Sequence, residues 1–372
     1  MAYERFARVD IDLGAVAHNV RTLKALTPRT TLFMAVVKAD GYGHGAAPVA
    51  RTALASGADC LGVATVDEAA RLRDEGVRAP IHLLSEPPVS AIPAVLDLDL
   101  VTTVATREFA TELGKRAFSA GTEAPYHLKV DTGMNRIGVH AEGAAEFARA
   151  LRDFPGLVLR GVFTHFATAD IPGDWDFETQ MQRFDAALAQ MRTEGIDPGT
   201  VHAANSAATI LHPESHLAMV RCGIAMYGLH PWPTTYQKIE LHPAMSVIAR
   251  VSFVKRIAMG EGVSYGLTWR ASAPTTIATV PLGYADGVHR AASNRMAVLC
   301  GGVRCEQVGR ICMDQLMFEV PRGMSVGVGD EVVLVGSQGG ERIVMDELAQ
   351  AAETINYETA CAFGMRLPRR YL

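Results

Sequence analysis

Over the first 220 or so residues, short runs of adjacent apolar and β-branched positions alternate with longer stretches in which apolar residues recur every three to four positions. Runs of the first kind read as strands covered on both faces, and stretches of the second kind as amphipathic helices. Strands are predicted at 31–37 (TLFMAVV), 60–64 (CLGVA), 81–84 (IHLL), 100–104 (LVTTV), 125–130 (PYHLKV), 157–164 (LVLRGVFT), 200–203 (TVHA) and 217–221 (LAMVR). Helices are predicted between them, notably over 67–76, 106–119 and 176–194, bounded by polar starts and frequent terminal glycines. Eight strand–helix units in about 200 residues point to a TIM (β/α)8 barrel, with a doubly wound sheet as the competing arrangement.

After residue 240 the texture changes. Strand-like runs (SVIARVSFV, TTIATVPLGYAD, MAVLCGGVRCEQVG, LMFEVP, EVVLVG) follow one another across glycine-rich turns, with a short helix near 345–353. A mostly β C-terminal domain is expected. The proline-rich stretch 230–243 (HPWPTTYQKIELHP) breaks both kinds of element and marks the boundary. The expected organisation is a barrel domain over 1–238, its first residues pairing with the second domain, and a mostly β domain over 239–372.

Composition narrows the function. The 372 residues are 49% hydrophobic, 20% charged and 7% aromatic, enough for sizeable cores and unlike a disordered chain. The net charge of −5 comes without long runs of one sign, so no nucleic-acid partner is expected. No apolar window reaches the roughly 18 residues of a membrane span, and the mixed charges of the first residues lead us to expect no secretory signal. The six cysteines, Cys60, Cys222, Cys300, Cys305, Cys312 and Cys361, show neither C-x-x-C nor metal-finger spacing. We expect reduced, mostly buried thiols in a cytoplasmic protein with no metal and no membrane contact.

In a TIM barrel, reactive groups gather beyond the C-terminal ends of the strands. Lys38 ends the first strand and opens the loop KADGYGHG. In LKVDTGMNRIG, Lys129 lies within the fifth strand and Arg136 in the loop beyond; an interior lysine is costly unless paired, neutral or modified. His165 ends the sixth strand in THFATAD. HAANSAAT and MVRCGIAMYG, after the last two strands, bring Ser206 and the amides of Gly223 and Ile224 to the usual phosphate corner of this fold, without a Walker loop or a G-x-G-x-x-G. Singly these residues have ordinary readings: a snorkelling lysine, a packed histidine, a barrel-end ion pair. Together, a lysine, a phosphate corner and an arginine could hold pyridoxal 5′-phosphate by a Schiff base.

The segments VVKADGYGHG, DTGMNRIG, THFATAD, HAANSAA, RCGIAMYG, GEGVSYG, GYADG, GRICMDQ and INYE run in this order from about residue 5 to the C-terminus and together resemble the alanine racemase family. The resemblance implies interconversion of L- and D-alanine on pyridoxal 5′-phosphate, supplying D-alanine for peptidoglycan, by a head-to-tail homodimer whose active sites are shared between subunits. It implies Lys38 as the residue that carries the cofactor and Tyr265 as the second acid/base. Tyr42, Ser206, Gly223, Ile224 and Tyr357 are implied as phosphate contacts, and Arg221 as the partner of the pyridine nitrogen, with His202 buttressing it and His165 beside the cofactor. Arg136 would reach the cofactor's phenolic oxygen and the substrate, with Lys129 nearby, carbamylated in some members. Met313 and Asp314 match residues that the family contributes from the other subunit, as it does the tyrosine. Asp170, Tyr284, Arg290, Arg310 and Ile355 match the lining of the substrate entrance. This sequence departs from the family at Cys222, where proline is frequent, and at Asn135, where glycine is common.

The implied pair suits the chemistry. Racemisation removes a proton from one face of Cα and returns one to the other, which calls for two acid/base groups on opposite faces. Tyr265 is expected to serve the L enantiomer and Lys38 the D enantiomer. A tyrosine of reference pKa about 10 needs about 4 kcal/mol of differential stabilisation to act near pH 7, hence a neighbouring cation or donor. Arg221 offers only donors, so the ring nitrogen facing it stays an unprotonated acceptor, a weaker electron sink that favours reprotonation over transamination. Tyr357 would crowd the space beside Cβ and favour alanine. Alternatives are a racemase of serine or a basic amino acid, differing at that wall; a decarboxylase of the same fold type, with a carboxylate at the Arg221 position; and a non-enzymatic carrier of pyridoxal phosphate, which lacks the β domain.

Overall fold

Pairing short apolar strands in parallel register buries their backbone groups, and closing the row removes its edges. The computed structural model describes residues 5–171 and 175–372 and divides the chain into two compact units. One comprises Ala15–Gly41 and Gly45–His242; the other comprises Met1–Gly14, Tyr42–His44 and Pro243–Leu372. Strand β1 (Ala7–Ile11) belongs to the latter. The former carries β2 (Leu32–Val36), β3 (Cys60–Val63), β4 (Ile81–Leu83), β5 (Leu100–Val104), β6 (Ala124–Asp131), the two-residue β7 (Val139–His140), β8 (Leu157–Phe163), β9 (Thr200–His202) and β10 (Met219–Cys222).

Eight of these strands, all but β7, form a closed ring in the order β2-β3-β4-β5-β6-β8-β9-β10, every pairing parallel. These are the eight expected strands, each within two residues of its predicted ends. The doubly wound alternative falls, because β5 pairs with β6 and β10 with β2, leaving no open edge. The predicted helices lie at Val66–Asp74, Arg107–Ser119 and Trp175–Thr193. A capping box of Thr65 and Glu68 starts the first, and the Thr106 hydroxyl caps the second.

The barrel interior is polar where most such barrels stack aliphatic side chains. His82 of β4 and His127 of β6 touch as rings, 4.9 Å between centroids, although β5 separates their strands; only side chains pointing into the barrel can meet that way. Along β6 the period of two places His127, Lys129 and Asp131 on one face, and all three are buried.

In the second unit, β1 pairs antiparallel with β11 (Met245–Arg250) and parallel with the C-terminal strand β21 (Arg369–Tyr371). Buried Asp10 on β1 receives Arg370 at 2.6 and 2.9 Å and Arg8 at 3.0 Å. Phe253–Ile257, Thr275–Val280 and Leu316–Val320 make a separate antiparallel sheet, and Ile257, Val263, Ile277, Val308 and Met317 pack in one apolar cluster. The run MAVLCGGVRCEQVG folds as a hairpin, Ala297–Cys300 against Val303–Glu306, turning on Gly301 and Gly302 at φ 57° and 77° as a tight two-residue turn requires. The expected helix is Met345–Ala351; a second, Asn356–Ala362, was read only as a motif. Among the described residues no helix is long and apolar enough to cross a membrane, and no group of three metal-ligating side chains exists. Four of the six cysteines are buried, but Cys312 is partly exposed and Cys361 exposed, which corrects the expectation of a core role for those two.

The loop after β2 departs from a simple flexible connection. Ala39, Asp40, Gly41 and Tyr42 all have φ between 52° and 62°, a left-handed turn that costs L-residues about 1–2 kcal/mol each. Its hydrogen bonds hold it: Gly41 N–H donates to Val37 O at 2.9 Å, Gly45 N–H to Asp40 O at 2.8 Å, and Ala46 N–H to the Asp40 carboxylate at 2.9 Å. The substitution Ala39→Gly is expected to raise the unfolding free energy by about 1 kcal/mol, read as a higher urea midpoint at unchanged m-value; a lower midpoint would show that the turn is unstrained at this residue.

Candidate active site

The C-terminal mouth of the barrel gathers the residues singled out along its strands. Lys38 follows β2, and the loop behind it is anchored by Glu68, which accepts Ala39 N–H at 2.7 Å and Ala64 N–H at 2.7 Å. The carboxylate that caps the helix after β3 thereby also pins the residue following Lys38.

Arg221, on β10, is 4% exposed and receives no carboxylate among the described residues. Its Nη2 donates to Thr164 O at 2.8 Å, to Ala203 O at 2.9 Å and to His165 Nδ1 at 3.1 Å; its Nη1 donates to His202 Nδ1 at 3.0 Å. A guanidinium has no lone pair to offer, so both imidazoles must accept through Nδ1 and carry their proton on Nε2. These contacts leave Nε–H and one Nη1–H of Arg221 uncommitted. Burial holds the Arg221 pKa down at about 9, so it remains charged at neutral pH.

Lys129 lies beside this cation, its Nζ 4.9 Å from the centre of the Phe163 ring, over which Arg221 also lies at 5.4 Å. Burial, then the charges of Arg221 and Arg136, hold the Lys129 amine well below its ordinary range. His165 is likewise held well below an ordinary imidazole by burial and by Arg221, Lys129, Arg136 and Lys38 in decreasing order. Two arginines and two lysines thus surround one imidazole. Such a mouth selects an anion.

Two loops are clamped together beneath it. Gln180, from the helix Trp175–Thr193, accepts Ala167 N–H at 2.8 Å and donates to His165 O and to Thr132 Oγ1, each at 3.1 Å, while the Thr132 and Thr164 hydroxyls pair at 2.8 Å. Asp131 accepts the amides of Gly133 and Asn135, turning the loop that carries Arg136. Asn135 stands at φ 54°, which explains a family preference for glycine there and its tolerance of asparagine. At the expected phosphate corner, Ser206 Oγ accepts Gly223 N–H at 2.9 Å and Ala225 N–H at 3.4 Å, and Ile224 opens a 3-10 turn whose first amide has no partner within the turn. Buried Cys222 is set against the Thr209 hydroxyl at 3.6 Å. Asp170 is partly buried in the segment after His165.

The second unit, taken by itself, carries the remaining residues singled out in the sequence. Ser264, at φ 65°, donates to Arg310 O at 2.6 Å and presents Tyr265 to solvent, 70% exposed. The Arg310 guanidinium lies over Gly266, where a Cβ would come within 3.1 Å of Nη1. Met313 and Asp314 occupy a tight turn closed by Cys312 N–H to Gln315 O at 2.8 Å. Tyr284 N–H and Ala285 N–H donate to the carbonyls of Cys312 and Met313, each at 3.0 Å. Asp314 is held by Arg366 at 2.7 Å, and Arg366 by the fully buried Asp286, which also takes Arg5 at 2.6 Å. Tyr42 and Tyr357 approach as tilted rings 6.3 Å apart. Arg290 opens the 3-10 turn Arg290–Ala292, and Ile355, 61% exposed, caps the helix Asn356–Ala362.

Sequence reasoning missed His82, His127, Thr132, Thr164 and Gln180. The spacing His127, Lys129, Asp131 on one strand face was the available signal, three ionisable groups where an aliphatic row is usual.

Two outcomes test these contacts. Burial, first among the causes, holds His82 down at about 4 and His127, His165 and His202 well below an ordinary imidazole. Below about pH 6.5 the unfolded chain binds protons at these positions and the folded one does not, so the stability present above 6.5 is lost as pH falls toward 4. Calorimetry should record a Tm that declines progressively below pH 6.5; a Tm constant from 7 to 4.5 would contradict it. A Cβ on Gly283 would lie 2.3 Å from the carbonyl oxygens of Cys312 and Met313, so Gly283→Ala should displace the Met313 turn and lower stability by about 2 kcal/mol or more in urea titration.

Comparison with known proteins matches both units. Residues 11–231 match the alanine racemase N-terminal domain and residues 244–371 the alanine racemase C-terminal domain. Alanine racemase of Symbiobacterium thermophilum is 46% identical over 97% of this chain and 96% of its own, and that of Nostoc sp. is 45% identical over 99% and 96%. Among solved structures, the alanine racemase of Bacillus anthracis with bound L-Ala-P superposes with a TM-score of 0.94 at 38% identity, covering 100% of this chain and 96% of that one. The enzyme from E. faecalis gives 0.93 at 40% identity, covering 100% of both. The chain belongs to the alanine racemase family.

Proposed function

We propose that this chain interconverts L- and D-alanine with pyridoxal 5′-phosphate, using Lys38 and Tyr265 as its two bases. The observation that carries the reading is Arg221: a buried, donor-only cation without a carboxylate, at a barrel mouth ringed by further cations. The donor set fits the cofactor. Ser206 with the Ile224 amide, and the Gly223 amide on turning from Ser206 Oγ, suit the phosphate, as do the Tyr42 and Tyr357 hydroxyls; Arg136 suits the phenolic oxygen; the uncommitted Arg221 donors suit an unprotonated ring nitrogen. A decarboxylase reading is disfavoured, since it wants a carboxylate at residue 221.

When bound, the cofactor acidifies the substrate Cα–H by delocalising the electron pair left behind. Lys38 would hold it covalently, and the Lys38 ε-amine would take the Cα proton from D-alanine and, in the reverse direction, return one to form it. Tyr265 performs the complementary transfer for L-alanine. Arg221, unable to give up its proton at neutral pH, keeps the ring nitrogen an acceptor and restrains transfer of the amino group. Arg136 orients the substrate carboxylate, and Lys129, neutral or carbamylated, sits behind it. Tyr357 crowds the Cβ side and favours a methyl group.

Tyr265, Tyr284 and Met313 are 70%, 43% and 52% exposed on loops joined by hydrogen bonds, an apolar patch of the kind that marks an interface. This supports a head-to-tail homodimer in which Tyr265, Met313 and Asp314 act in the partner's site, and in which Asp170, Tyr284, Arg290, Arg310 and Ile355 line the way in. This division of labour gives most of the cofactor-binding residues to 1–238, and Tyr357 with the second base to 239–372. The partly exposed thiol of Cys312 suits the cytoplasm, where D-alanine would be made for peptidoglycan.

Chiral chromatography of L-alanine, L-serine and L-lysine after incubation with cofactor-loaded protein tests the reading. Alanine should equilibrate fastest, with serine slower by about 10-fold or more, and Tyr357→Ala should narrow that gap. Tyr265→Phe should slow racemisation about 100-fold or more; full retained activity would remove Tyr265 from the mechanism, and conversion of none of the three amino acids by the unaltered protein would leave a carrier of the cofactor.

A further inference from the structure

Beyond the groups that face the cofactor, the barrel interior holds two imidazoles, His127 and His82, in line with His202. His202 Nε2 lies 2.7 Å from His127 Nδ1, and the His82 and His127 rings meet edge-on at 4.9 Å and 70°. The backbone is built around this row. The parallel register of β6 and β8 shifts between Tyr126 and His127. Opposite it, Gly161 of β8 leaves the space the His127 ring needs: a Cβ there would lie 2.7 and 2.8 Å from ring atoms of His127 and 2.4 Å from Thr200 O. Phe163 stacks flat on His202 at 4.8 Å and 2° between planes, fixing that ring as well.

Chemistry gives the row a direction. Arg221 can only donate, so His202 accepts at Nδ1, bears its proton on Nε2, and must donate to His127 Nδ1; His127 in turn bears its proton on Nε2. Adding a proton to His202 or His127 would set donor against donor in a dry interior that already holds Arg221 and Lys129.

We propose that His127 is a positioning residue of the racemase: by accepting from His202 in a one-way chain Arg221→His202→His127, it holds the guanidinium so that its uncommitted donors face the cofactor's ring nitrogen. His82 closes the end of the chain, and Gly161 with the register shift exists to seat it. The inference rests on the assignment of Arg221 to the ring nitrogen.

Histidine-selective 15N spectra of the holoenzyme, assigned with single substitutions, should show His202 and His127 as Nε2–H tautomers without change between pH 6 and 9. His127→Leu leaves the His202 N–H without an acceptor, and kcat for alanine should fall about tenfold with KM nearly unchanged, accompanied by a shift in the absorbance of the bound cofactor. His127→Asn, whose Oδ1 takes the place of Nδ1, should restore most of kcat and the absorbance. A His202 proton on Nδ1 in the unaltered holoenzyme would overturn the chain whether or not the leucine variant folds. So would a folded, loaded leucine variant with unaltered kcat and absorbance. If instead Arg221→Lys left the cofactor absorbance unchanged, the ring-nitrogen assignment would fail while the tautomers stood, which separates the two ideas.

Discussion

A guanidinium buried in the barrel without a counter-carboxylate is the constraint from which the rest of the site follows. Everything close to Arg221 has to accept a hydrogen bond, and the structure supplies two carbonyls and two imidazoles. Those imidazoles must then be neutral, with their protons on Nε2. The same charge, with Arg136, disfavours protonation of Lys129 and His165 nearby and leaves a mouth that an anionic ligand neutralises. A cofactor bearing a phosphate answers that imbalance, and its binding contributes to the stability of the fold by mass action. The polar interior, unlike the aliphatic layers of most such barrels, is therefore an extension of the reactive site into the core.

Strain accompanies both proposed bases. Lys38 is followed by a left-handed turn that includes Ala39 and Asp40, and Tyr265 is preceded by Ser264 at φ 65°. Each non-glycine residue in that region costs about 1–3 kcal/mol, and each is held by several bonds at once: Glu68 and Asp40 around the first, Arg310 O around the second. The geometry of a reactive residue is set more narrowly by such an over-determined turn than by a free loop. In the second unit, buried Asp286 plays the part of an anchor: it takes Arg5, Arg366 and the Gly283 amide, and through Arg366 it holds Asp314 beside Met313.

The legible part of this protein was the part governed by neighbours along the chain. Paired burial of Leu32–Val36 or Leu100–Val104, the Thr65–Glu68 cap and the Gly301–Gly302 turn follow from dihedral preference and local hydrogen bonding, so the barrel strands could be placed to within a residue or two and the second half recognised as mostly β, although SVIARVSFV proved to span two strands and TTIATVPLGYAD to be strand only over Thr275–Val280. The order of short motifs likewise singled out Lys38, Arg221 and Tyr265 before any coordinates. Tertiary structure alone decided that His127 meets His202 across 75 positions of sequence, that Gly161 makes room for it, and that burial and neighbouring charge hold His165 and Lys129 well below their ordinary pKa ranges. The reason is physical: periodicity reports which side of an element is covered, whereas a hydrogen-bond partner and a protonation state depend on strand register and barrel closure, which join residues that no local pattern relates.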